Sequence, residues 1–480
     1  MRIGSCTLLS CALIAAACSS APAGGSTTAT SAEPAQDPMP QVSSVGGTVA
    51  TAGNGVGSTA GTGASLPSTA QSSANGPTAG TPSPSTDVPM GGAVGSAGSA
   101  TSGAAAPSAG ASGMPRETGT MRDATTLVAQ LGIGWNLGNS LDAVGGETAW
   151  GNPVVTPALI QAVAAAGFKA VRVPVTWAKH FGEGPEFTID PAWIKRVEEV
   201  VSYVTDSGMH AIINVHHDGA EGGDGEWLSL RDGTGSMTDA HDSAVQSQFV
   251  ALWQQIATYF ADHDDTLLFE SMNEIKVGYD RPDPAYYKTI NALNQAFVDT
   301  VRATGGNNAT RCLVVPGYNT NVEYTLEGFT APHDPATNRL VLSVHYYDPW
   351  TFAGSAETHA WGAASPGADS WGQEVWVDEQ FEKLKAKYID AGLPVIIGEY
   401  GAVHQTSAEN YRRYYMEYVT KAAVDRGIAP IYWDNGGGNS GSDGFGLLDR
   451  ASNELLHPEI VKAMRRAATE DYPISAIAKP

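Results

Sequence analysis

Every aromatic residue of this 480-residue chain lies at or beyond Trp135; none of its 11 Trp, 17 Tyr and 11 Phe occurs earlier. Large apolar side chains are what offsets the entropy of ordering a chain. A core can therefore form only in the later part of the sequence. From about Ser19 to Gly119 the composition is dominated by Gly, Ser, Ala, Thr and Pro. Residues 19–118 read as a flexible linker, and a Gly-rich coil of ~100 residues would span about 50–60 Å. Residues 119–480 are left as the folded domain.

Residues 1–18 read as a signal segment. Arg2 precedes an apolar run from Cys6 to Ala17, followed by Cys18-Ser19-Ser20. That run is too short to span a bilayer and has the form of a secretory h-region. Leu13–Cys18 resembles a bacterial lipoprotein signal, with Ala15 where Leu is usual. The resemblance implies that Cys18 becomes a lipidated first residue, anchoring an extracellular or outer-surface protein; plain secretion is the alternative. No later stretch reads as a transmembrane helix. With Cys6 and Cys11 lost with the signal, Cys18 and Cys312 remain and no internal disulfide is expected. Cys312, in Arg-Cys-Leu-Val-Val, reads as a buried strand residue.

The chain carries 27 basic and 50 acidic groups, a net charge of −23. Two basic and four acidic groups precede residue 119, leaving 25 and 46, or −21, on the folded part. Such a balance argues against a nucleic-acid-binding surface, which needs a basic stripe.

From Leu131 onward, short apolar runs alternate with helical stretches. The spacing predicts strands at Ile133–Leu137, Ala170–Pro174, Ala211–Val215, Leu267–Ser271, Cys312–Pro316, Leu340–His345, Val395–Gly398 and Pro430–Trp433. These runs are rich in Val and Ile, as expected of strands buried on both faces. Between them, Ile194, Val197, Val200, Val201 and Val204 recur at helical spacing. Thr156-Pro157 supplies a cap and a first-turn proline. Gly167, Gly208, Gly305 and Gly392 stand where helix-terminating glycines belong. Eight strand–helix pairs in this length predict a (β/α)8 TIM barrel, an α/β fold. A doubly wound sheet is the competitor, but Gly132–Asn139 does not open a helix as a phosphate-binding loop would.

In such a barrel the chemistry lies where strands run out into loops. Six predicted strands end in chemically capable residues: Arg172; His216-His217-Asp218; Asn273-Glu274; His345-Tyr346-Tyr347; Glu399; and Trp433-Asp434-Asn435. One such ending is ordinary, whereas six in series point to a site. Glu274 and Glu399 form the carboxylate pair that glycosidic cleavage needs, one protonated and one ionised. An ionised carboxylate beside a guanidinium has a lowered pKa, so the glutamate nearer Arg172 is the expected nucleophile.

Seven segments in order, Gly134-Trp135-Asn136-Leu137-Gly138-Asn139, Arg172–Trp177, Asn214–Asp218, Asn273-Glu274, His345-Tyr346-Tyr347, Gly398–Gly401 and Trp433–Gly436, resemble glycoside hydrolase family 5, the cellulase family. The resemblance spans about residues 122–468 and is nearest the endoglucanase and xyloglucanase branch. It implies a retaining endo-β-1,4-glucanase with Glu274 as acid/base and Glu399 as nucleophile, acting as a monomer on a β-glucan polysaccharide without a cofactor or metal. It also implies that Asn273 holds the sugar 2-OH, that Arg172 and Tyr347 bond the nucleophile, and that His345 sits near the acid/base. His216, His217 and Asn139 would help line the substrate cleft, and Trp433 would stack on the sugar. A β-mannanase or mixed-linkage glucanase is the alternative within the class, and a non-catalytic carbohydrate-binding surface lipoprotein the alternative outside it. A metal-dependent barrel hydrolase is disfavoured, because neighbouring strand residues such as His216 and His217 point to opposite faces.

Asp434 reads as a supporting partner. Two long segments, Gly219–Asp242 with Trp227 and Pro349–Gln373 with Trp350, Phe352, Trp361 and Trp371, read as aromatic walls for a sugar chain. The acidic balance makes anionic polysaccharides poor substrates. No aromatic-bearing binding module precedes the barrel, which favours soluble or loosened glucan over crystalline cellulose.

Overall fold

The computed structural model describes residues 121–480, apart from 221–222 and 279. The expected signal segment and linker, with Cys18, lie outside the described residues. Eight parallel strands close into one barrel in sequence order. They are β1 (Gly134–Leu137), β2 (Ala170–Val173), β3 (His210–Ile213), β4 (Leu267–Glu270), β5 (Leu313–Asn321), β6 (Leu340–Tyr346), β7 (Val395–Tyr400) and β8 (Ala429–Asp434). The helices are α1 (Ala124–Leu131), α2 (Pro157–Ala166), α3 (Pro191–Asp206), α4 (Asp239–Tyr259), α5 (Pro284–Ala303), α6 (Val322–Gly328), the short α7 (Trp350–Ala353), α8 (Glu374–Lys387), α9 (Glu409–Val424) and α10 (Pro458–Thr469). Each strand is found within two residues of its expected bounds, except that β5 runs on to Asn321.

The local signals act as their chemistry dictates. Thr156 caps α2 by accepting the Leu159 N–H, ahead of Pro157. Asp190 and Asp283 do the same before Pro191 and Pro284. Gly167 ends α2 at φ +102, a conformation that costs glycine least. The barrel closes where β1 pairs with β8, Gly134 opposite Ile431 and Leu137 opposite Asp434.

Two apolar clusters hold the layers together. The larger packs the outer faces of the strands against the surrounding helices. The smaller fills the base of the barrel, where Leu127 and Leu131 of α1 meet Ile212, Leu268, Val341 and Ile396. α1 therefore covers the end opposite the loops that carry the chemistry. Cys312 is buried in this plug immediately before β5, and no helix among the described residues is long and apolar enough to cross a membrane.

Candidate active site

Arg172, the third residue of β2, is fully buried inside the barrel. Its guanidinium makes four hydrogen bonds. Nε donates to Glu270 Oε2 at 2.6 Å, and Nη1 donates to Glu399 Oε1 at 2.8 Å and Asn136 Oδ1 at 3.0 Å. Nη2 donates to Asn273 Oδ1 at 2.9 Å. Arginine suits this task because its planar fork is always charged and offers donors in fixed directions.

Glu399, near the end of β7, also accepts the Tyr347 hydroxyl at 3.1 Å through Oε2. His216 Nε2 lies 3.9 Å from Oε1 and His345 Nδ1 3.6 Å from Oε2. Glu274 stands in the loop after β4, and its Oε1 meets His345 Nδ1 at 2.6 Å. The β6–β7 register shifts between Val344 and His345, bringing His345 opposite Glu399. Such irregularities re-aim side chains at the rim of a barrel. One oxygen of each glutamate and a ring nitrogen of His345 all lie within 4.8 Å of one another. The Glu274 side chain is 31% exposed and that of Glu399 7%.

Burial acts most strongly on both carboxyls, with different results. For Glu399 it outweighs the lowering pull of His345 and Arg172, and the nearby Glu274 raises the group further. For Glu274 burial is overcome by the His345 hydrogen bond and the charges of His345, Lys276 and Arg172, which hold the carboxyl at about 2. Of the two glutamates expected to carry the chemistry, the one bonded to Arg172 is Glu399, the position in which the sequence argument looks for the nucleophile. Its pKa is nonetheless raised rather than lowered, because that argument weighed the guanidinium and not the loss of water. His216 is pushed well below its usual value by burial, then by His217, Arg172 and His345, and so rests neutral.

Trp433 forms one wall, half-buried, its ring stacked on His216 at 5.8 Å and 6°. Gly138 makes room for it: a Cβ there would lie 2.8 Å from the indole. The rings continue outward from His216 to His217 at 4.5 Å and to Trp150 at 5.0 Å. Trp150 is 37% exposed. Asn139 stands in the β1 loop at φ +54, its N–H donated to Asp142 and its carbonyl accepting from Asn152.

Residues 137–439 match the family model for cellulase, glycosyl hydrolase family 5. The chain belongs to glycosyl hydrolase family 5. An endoglucanase A from Paenibacillus barcinonensis is 40% identical over 365 residues, covering 71% of this chain and 89% of that protein. Among solved structures, a broad-specificity endoglucanase from Bacteroides salanitronis is 44% identical with a TM-score of 0.69, covering 74% of this chain and 98% of the other. A family 5 xyloglucanase from Paenibacillus pabuli, in complex with ligand, is 42% identical with a TM-score of 0.68, covering 72% and 100%. The chain is a glycoside hydrolase of the cellulase type.

Within this family 5 barrel, Arg172, His216, Asn273, Glu274, His345, Tyr347 and Glu399 come together in one network, with Trp433 and His217 beside it. The premise used against a histidine metal site fails. His216 and His217 lie beyond the end of β3, His216 at the cap of a 3-10 turn over residues 217–219, and strand alternation no longer separates them. With Asp142 they bring ligand atoms within 4.8 Å. Two of these three residues already hold hydrogen bonds within the protein: Asp142 accepts the Asn139 and Ser140 N–H groups, and His216 Nδ1 accepts from Asn214.

The aromatic walls are only partly as expected. Phe352 and Trp361 are buried, Trp361 against Tyr414, Tyr415 and Tyr418. Trp227, Trp350 and Trp371 are half-buried. Asp434 is indeed a support, accepting Trp135 Nε1, the Gly436, Leu447 and Leu448 N–H groups and the Arg450 guanidinium. Sequence reasoning assigned no role to Glu270, Asp142 or Trp150. Glu270 was visible as a charge at the end of an otherwise apolar strand.

Proposed function

We propose that the chain is a retaining endo-β-1,4-glucanase acting on cellulose-type or xyloglucan-type chains by double displacement. The observation that carries this reading is the approach of Glu274 and Glu399 oxygens to within 4.8 Å, with Arg172 bonded to Glu399. Retaining enzymes place their carboxyl groups about 5–5.5 Å apart, whereas inverting ones need about 6.5–9.5 Å to seat a water between them.

In the first step Glu399 attacks the anomeric carbon and forms a glycosyl ester. The bond to the leaving oxygen breaks, and that oxygen takes a proton from Glu274. The proton reaches Glu274 across its 2.6 Å contact with His345. In the second step water attacks the same carbon, Glu274 accepts its proton, and the Glu399 carboxylate departs. Arg172 and Tyr347 aim Glu399 throughout. Asn273 holds the sugar 2-OH while tied to Arg172, and Trp433 stacks beneath the ring. His216, His217 and Asn139 line the cleft.

Two solved relatives are named for xyloglucan hydrolysis and broad specificity. That favours a β-1,4-glucan backbone, with or without branches, over mannan. The exposed Trp150 ring extends the wall beyond His217, as a polymer-binding cleft requires.

The test is reducing-sugar release from a cellulose derivative, xyloglucan, mixed-linkage glucan, xylan and mannan, with Glu399→Gln alongside. The wild type is expected to cut the β-1,4-glucans and the variant to lose at least about 10³-fold. Equal activity of the two proteins, or cleavage of mannan alone, would overturn the reading.

A further inference from the structure

Glu270 is a buried carboxylate for which the double displacement has no use. It closes β4, is completely inaccessible to solvent and touches no position a sugar could reach. Its Oε2 accepts two hydrogen bonds, from Arg172 Nε at 2.6 Å and from Asn214 Nδ2 at 3.1 Å. Its Oε1 is buried without a hydrogen-bond partner. A charge in this position costs several kcal/mol of desolvation unless its pairing recovers it.

Both partners lead to the reaction centre. The Arg172 fork, fixed at Nε by Glu270, places Nη1 on Glu399 and Nη2 on Asn273. Asn214 cannot turn over, because its Oδ1 accepts the Val175 N–H at 3.1 Å. Its amide nitrogen therefore donates both to Glu270 and to His216 Nδ1 at 3.1 Å. An accepting Nδ1 puts the neutral ring's proton on Nε2, the nitrogen facing Glu399.

We infer that Glu270 is a positioning residue for the cleavage reaction, fixing the Arg172 guanidinium against Glu399 and tying it through Asn214 to His216. It also divides the charge of Arg172 between two carboxylates, leaving Glu399 less stabilised as an anion than an undivided guanidinium would. This inference rests on Glu399 being the nucleophile.

The two hydrogen bonds converge on one oxygen, which allows geometry to be separated from charge. Glu270→Gln can keep that acceptor while losing the charge; Glu270→Leu loses both. Neither variant substitutes the other groups facing Glu399, which are His216 after β3, Glu274 after β4, and His345 and Tyr347 on and after β6. The experiment is the pH dependence of kcat and KM for both variants and the wild type, with Glu399→Gln as reference and circular dichroism as the check on folding.

Glu270→Leu is expected to lower kcat about 10²-fold with KM within about threefold, as a small displacement of a positioned group does. Glu270→Gln is expected to keep kcat within about tenfold and to move the acid limb of kcat/KM down by about half a unit to one unit. A folded Glu270→Leu with kcat within about threefold of wild type would overturn the inference. So would an unmoved acid limb in Glu270→Gln, which decides the matter alone if the leucine variant does not fold. Substantial activity in Glu399→Gln would instead overturn the parent assignment of the nucleophile.

Discussion

Glu399 lies 2.8 Å from a guanidinium and still has a raised pKa. The reason is that its surroundings exclude water, so the carboxylate loses more solvation than Arg172 and His345 return. Glu274, more exposed and bonded to His345, goes the other way and is held at about 2. The two groups titrate as one system, so what a rate profile reports belongs to the set. The sign follows from the direction of each shift. As the proposed nucleophile Glu399 must be ionised to attack, and its pKa lies above the ordinary 4.5. Activity is therefore expected to fall on the acid side at a pH above 4.5 as that set takes up a proton. The pH profile of kcat/KM for the free enzyme measures this limb, and an acid limb below pH 4 would contradict the account.

At the scale of elements, the strands were legible because burial on both faces leaves short, continuous Val- and Ile-rich runs that little else in a chain resembles. The polar strand ends were legible for the opposite reason, since Arg172, Glu274, His345 and Glu399 interrupt those runs. Less could be read where the chain leaves regular structure. The alternation argument failed at His216-His217 because β3 stops at Ile213 and a 3-10 turn reorients the pair. Trp361 gave no sign that α9 would bury it, and Trp150 none that its loop would fold back beside His217. Both outcomes depend on contacts distant in sequence. α1 is the element whose role is most separable from the chemistry. Leu127 is fully buried in the plug at the base of the barrel, remote from the loops that carry the glutamates. Leu127→Ala is expected to lower unfolding stability by about 2–5 kcal/mol, while kcat of the folded protein stays within about twofold of wild type. Denaturant unfolding and kinetics at a permissive temperature test this, and a large loss of kcat in the folded variant would mean that the plug and the site are coupled.

Across the whole molecule, one closed sheet brings residues separated by more than 200 positions into direct contact. Arg172 and Glu399 are 227 residues apart and share a 2.8 Å bond. The chain's acidic balance, the aromatic path from Trp433 to Trp150 and the paired glutamates all suit a neutral polysaccharide lying across the mouth of the barrel. The proposed double displacement requires that this polymer be joined to the protein for part of each turnover. A 2-deoxy-2-fluoro cello-oligosaccharide with a good leaving group slows the second step more than the first and should trap that ester. Mass spectrometry of the whole protein and its peptides is expected to find one sugar per chain, carried by the peptide containing Glu399. A protein that turns over a β-1,4-glucan but takes up no label, or carries it on another residue, would contradict the assignment of Glu399.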